Sequence, residues 1–101
     1  MNFQFSKFVS QTIKGLKSYF EKNQIEVNEN FYEELMNKLT IELSKPFNEQ
    51  TFTPTQILNN HIKNELKEDL KITPQELGTE FNNCLILWGI EKAKYFDDKS
   101  I

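Results

Sequence analysis

Apolar residues recur at three-and-four spacing along most of the chain and almost never alternate with polar ones. That period belongs to amphipathic helices, whose buried stripe repeats every 3.6 residues, and not to strands. In the first segment Phe5, Phe8, Val9, Ile13, Leu16, Tyr19 and Phe20 share an arc of roughly 140° on a helical wheel. Lys7, Lys14 and Lys17 lie on the other side, and Phe3 falls off the stripe. Gly15 sits inside this helix at about 1 kcal/mol against alanine, which a close approach by a neighbouring element would explain. The second segment has Asn28 as its cap and Val27 with Tyr32 as a hydrophobic staple. Its face is Phe31, Tyr32, Leu35, Met36, Leu39 and Leu43, and Pro46 ends it because the residue before proline avoids helical geometry.

The remaining two helices carry explicit start signals. Phe52-Thr53-Pro54-Thr55-Gln56-Ile57 places a capping threonine, proline at the first helical position and glutamine at the third. Ile72-Thr73-Pro74-Gln75-Glu76-Leu77 repeats that grammar with glutamate. Each is a capping box flanked by a staple pair, Phe52 with Ile57 and Ile72 with Leu77. Leu58, Ile62, Leu66 and Leu70 make the third stripe. The link Lys71–Thr73 is so short that the third and fourth helices are expected to lie side by side. The expected fold is therefore all-α, a small bundle of about four helices (approximately 4–22, 29–45, 54–71 and 74–96), forming one domain over 1–101 with a fraying tail after Phe96.

The fourth helix differs from the others. Leu77, Phe81, Cys84, Leu85, Trp88 and Tyr95 make its core-facing stripe, while Ile86, Leu87, Ile90 and Ala93 make a second apolar stripe on the opposite side. A helix in a simple bundle buries only one face. Two faces mean that it runs through the middle of the others or that another chain covers it, and Gly89 suits a close backbone approach in either case.

Composition removes several function classes. A single cysteine and a single histidine leave no disulfide framework and no zinc finger. All 12 basic residues are lysine. Without arginine the bidentate recognition of phosphate and guanine is lacking, so sequence-specific DNA binding is not expected. A nucleic-acid-associated regulator using the lysine-bearing face of the first helix is the alternative. The 15 acidic residues leave a mild net charge of −3. Residues 1–25 carry four lysines and one glutamate, and residues 26–50 six glutamates and two lysines, which would make the first two helices complementary neighbours. No apolar run approaches the ~18–20 residues of a membrane span, and no secretory signal is expected from MNFQFSKFVSQ. With one free cysteine and no Asn-x-Ser/Thr acceptor, the expected address is cytoplasmic.

Chemistry has little to work with. Glycine-rich phosphate loops and nucleophile elbows are missing, and Cys84 lies on an apolar stripe with no histidine nearby in sequence. His61, Glu65 and Asp69 fall at i, i+4 and i+8 on the third helix, where a solvated column pairing with lysines is the expected role. No enzyme activity, cofactor or metal is expected. The general layout is similar to that of bacteriocin immunity proteins in length and helix count alone, with no shared motif. The expected function is protein–protein interaction, as an inhibitor, an immunity- or antitoxin-like neutraliser or an assembly adaptor. The partner would be a second protein or a second copy, through Ile86, Leu87, Ile90 and Ala93 of the last helix.

Overall fold

A computed structural model describes residues 4–99, without the side chain of Lys99; Phe3 and the last two residues lie outside the described residues. Four helices are present: α1 Phe5–Lys22, α2 Glu29–Leu43, α3 Pro54–Leu66 and α4 Thr79–Lys99. Two short 3₁₀ turns, Phe47–Glu49 and Pro74–Leu77, precede α3 and α4. The described residues contain no strand, so the chain is all-α as its periodicity requires.

The caps form where the side chains allow. Asn28 Oδ1 accepts from the Phe31 N–H at 3.1 Å and starts α2. At α3 the Gln56 N–H donates to Thr53 Oγ1 at 3.2 Å, and the Thr53 N–H donates back to Gln56 Oε1 at 2.9 Å. The second start behaves differently. Glu76 Oε1 accepts from both the N–H and the hydroxyl of Thr73, each at 2.9 Å. Only a 3₁₀ turn follows. Gly78 then takes φ +103°, a conformation that side-chain-bearing residues rarely adopt, and the helix restarts at Thr79. The fourth helix therefore begins five residues later than Pro74, and it continues through Lys99 without fraying at Asp97.

α3 also stops early, at Leu66, because Lys67 is left-handed at φ +57°. Asp69 and Leu70 are thus not helical. Asn59 holds this irregular link: its side-chain amide accepts from the Ile72 N–H at 2.9 Å and donates to the Ile72 C=O at 3.3 Å. Ile72 is buried as a result.

The longer link corrects the expected order. α3 and α4 do not pack as a pair. α1 and α2 are the two inner helices: α1 packs against α2 and against α4 with the Pro74–Leu77 turn, and α2 packs against α1 and α3. The width of the α1 stripe explains this. Phe8 meets Phe81 of α4 at 5.1 Å between ring centroids, while Phe20 meets Phe31 of α2 at 5.6 Å. Gly15 supplies the expected close approach. A Cβ there would stand 3.2 Å from the Leu77 carbonyl carbon and closer still to its oxygen.

The α2–α3 connection reaches α4. The Phe47 ring lies 6.3 Å from Trp88 and 5.7 Å from Tyr95. Trp88 Nε1 donates to Gln50 Oε1 at 3.3 Å, and Tyr95 Oη to Asn48 Oδ1 at 2.9 Å. These contacts fix the second half of α4 against the body. Glu42, buried near the end of α2, accepts from the peptide N–H groups of Thr51 and Phe52 at 2.6 and 2.7 Å and from Lys45 Nζ at 3.0 Å. Electrostatic pairing of α1 with α2 is slight by comparison. Lys17 and Glu29 stand 3.8 Å apart with both side chains well exposed, a pair worth ~0–1 kcal/mol. No described helix is long and apolar enough to cross a membrane.

Candidate partner face and polar cluster

α4 has 21 residues and turns Phe81, Cys84 and Trp88 inward against α1 and the Phe47 turn. Because it stands at the flank of α1, its opposite side is left uncovered among the described residues. Ile86 is 52% exposed and Ile90 47% exposed; Ala93 is exposed and Leu87 half-buried. The reading in which α4 threads the middle of the bundle is overturned, since α4 packs chiefly on α1 and the Pro74–Leu77 turn and keeps Ile86 and Ile90 half exposed. Phe96, 43% exposed, lies to the side of this stripe, with its ring 5.4 Å from that of Tyr95. A Cβ at Gly89 would meet nothing within 4 Å. Packing within the chain therefore does not require glycine there.

A second apolar patch escaped the periodicity argument altogether. Ile41 is 62% and Phe52 47% exposed, and with Ile57 they line a groove of about 390 Å³ between α2 and α3. Phe52 was expected to staple to Ile57. It stays half in solvent because Glu42 ties down its peptide N–H and that of Thr51.

The lysines of α1 divide. Lys17 Nζ stands 4.9 Å from the centroid of the Tyr32 ring, toward α2. Lys14 and Lys22 line a groove between α1 and the start of α4, which also contains Glu76 and Glu80. Those carboxylates offset the positive field that an anionic partner would need.

Of the expected column of His61, Glu65 and Asp69, the structure keeps the first two on α3 and removes Asp69 to the link. Glu34 of α2 takes its place: one ligand atom from each of Glu34, His61 and Glu65 lies within 4.8 Å of the others. His61 is 1% exposed and packs on the Phe31 ring at 4.6 Å. Its Nε2 is 2.9 Å from the Phe31 carbonyl oxygen and its Nδ1 is 2.9 Å from Lys38 Nζ. A carbonyl only accepts and an ammonium only donates, so Nε2 carries the proton and Nδ1 the lone pair. Burial, helped by the Lys38 charge, pushes the imidazole below its ordinary value, against the Phe31 bond and the two glutamates. Sequence spacing had no means of finding Glu34 or Lys38, because they come from another helix.

Cys84 is buried, and that burial raises its thiol above the ordinary value. It belongs to the hydrophobic core with Phe81 and Trp88. No protein family, curated protein or solved structure matches this chain.

Proposed function

We propose that this chain is a non-enzymatic helical protein that works by binding another protein, as an inhibitor, a neutraliser of the immunity or antitoxin type, or an assembly adaptor. The outer face of α4 is its contact surface. The observation that carries this reading is one helix bearing two half-exposed isoleucines, Ile86 and Ile90, on the side away from the core. Contiguous exposed apolar surface on a small protein marks an interaction site more often than chance, since leaving it in water forgoes about 25 cal/mol per Å². Gly89 and Ala93 lower the profile of the face, so that a partner backbone can come near. The lysine face of α1 is the weaker candidate, because acidic residues share its groove.

The test is Ile90→Glu. Ile90 is half in solvent, so the variant should keep its helix content and change stability by no more than about 0.5 kcal/mol. Its association should be lost, as read by light scattering and by co-purification from the native host. Retained association with an intact fold would refute the assignment of this face. Retained, steeply salt-dependent binding to nucleic acid would move the function to the α1 lysines.

A further inference from the structure

We propose that Glu34, His61 and Glu65 form a site for one divalent cation of borderline hardness, best suited to Zn²⁺, and that the Lys38 ammonium is the group this cation displaces. Two helices supply the donors with the correct periodicity. His61 and Glu65 are four residues apart on α3, and Glu34 and Lys38 four apart on α2, so each pair shares one helix face. The three ligand atoms already lie within 4.8 Å of one another. Zinc with nitrogen and oxygen ligands at ~2.0–2.2 Å brings donors to roughly 3.4 Å apart. Both glutamates are exposed, so closing that gap takes side-chain rotation and no backbone movement.

The imidazole is prepared for ligation. Metal-bound histidines donate their second ring N–H to a carbonyl or carboxylate, which fixes the tautomer and the ring plane. Here the Nε2–H donates to the Phe31 carbonyl at 2.9 Å, and the ring is held by burial and by the Phe31 ring. One ring nitrogen of His61 lies within 4.8 Å of a carboxylate oxygen of each glutamate, and the lone pair is then on Nδ1. A cation is already drawn to it, since Lys38 Nζ stands 2.9 Å away. Lys38 is exposed on a flexible stem and can withdraw. A divalent ion then places two charges where the ammonium places one, opposite two carboxylates. One imidazole and two carboxylates suit zinc and its neighbours in the first row better than Mg²⁺ or Ca²⁺, which favour all-oxygen sites. The site lies between α2 and α3, across α1 from the α4 face, so it stands independently of the partner reading.

The experiment titrates untagged, chelator-treated full-length protein with Zn²⁺ by calorimetry and with Co²⁺ by visible absorption. One ion per chain is expected, with perturbation of the His61 Nδ1 resonance and retention of the Nε2–H. Glu34→Gln and Glu65→Gln, both at exposed positions, should weaken binding at least about tenfold, and Lys38→Ala should strengthen it about tenfold. Circular dichroism confirms that each variant is folded. Equal affinity in all four proteins would place the ion elsewhere and overturn the proposal. So would a lack of saturation up to about 1 mM in both the wild type and Lys38→Ala, an affinity of only ~4 kcal/mol.

Discussion

Gly15→Ala should destabilise the fold by about 2 kcal/mol, while the same change at Gly89 should stabilise it by about 0.5–1 kcal/mol. Both glycines sit inside long helices, where alanine is favoured by about 1 kcal/mol on backbone grounds alone. The difference lies in what a methyl group meets. At Gly15 it runs into the carbonyl of Leu77, which belongs to the backbone and cannot rotate away. Overpacking of this kind typically costs ~1–3 kcal/mol, and a rigid neighbour puts it at or above the upper end. The helix-propensity gain offsets part of that. At Gly89 the methyl meets nothing within 4 Å, so the propensity gain stands alone. Thermal midpoints should separate in opposite directions, with Gly15→Ala falling by roughly 10 °C in a domain of this size. A Gly15→Ala protein as stable as the wild type would mean that the Pro74–Leu77 turn does not rest on α1. Gly89→Ala carries a second consequence. If the α4 face receives a partner backbone, the stabilised variant should bind that partner less well.

Glu42→Ala should cost about 2–3 kcal/mol at neutral pH, more than a surface carboxylate would. Glu42 accepts two peptide N–H groups and one ammonium, and it ties the entry to α3 back onto α2. Charge-assisted bonds to a buried carboxylate lie at the strong end of the range for proteins. Burial alone would raise this carboxyl, but the Phe52 and Thr51 amides and Lys45 outweigh it and hold the group below its ordinary 4.5. The folded state therefore binds this proton less readily than the unfolded chain. The stabilisation is fully present above pH 4.5 and is lost as the pH falls through the lower folded-state value. Urea melts of wild type and Glu42→Gln between pH 7 and pH 3 should accordingly converge on the acid side. A constant gap across that range would show that the carboxylate charge contributes nothing to the anchor.

Local chemistry was well legible in the residues. Asn28 and Thr53 cap where their neighbours in sequence predict, and the stripes of α1 and α2 are buried apart from Phe5 and Met36, which lie at the exposed margin. The misreadings have specific causes. The Thr73–Glu76 box forms its hydrogen bonds, yet Gly78 breaks the helix after one turn, so a correct cap preceded the wrong element. α3 stops at Leu66 where Lys67 turns left-handed, and Asn59 holds the link that follows through the Ile72 peptide unit, a bond across 13 residues that no periodicity reveals. Losing that last turn takes Asp69 out of the polar column, while the packing of α2 on α3 sets Glu34 beside His61 and Glu65. Phe52 has the position of a staple residue but remains half exposed, because its backbone answers to Glu42.

The amino-acid order by itself determined that the chain is helical, where most helices begin and which side of each is apolar. Those properties follow from 3.6-residue periodicity and from capping bonds spanning three residues. Only the tertiary structure decided which helices occupy the inner positions. α1 takes one of them because its broad aromatic stripe and its one bare turn at Gly15 receive both α2 and α4 with the Pro74–Leu77 turn, which leaves α4 at the flank with its second face in water. The same packing set His61 between a carbonyl and an ammonium from α2, because a buried imidazole must satisfy both nitrogens with whatever groups the neighbouring helix presents.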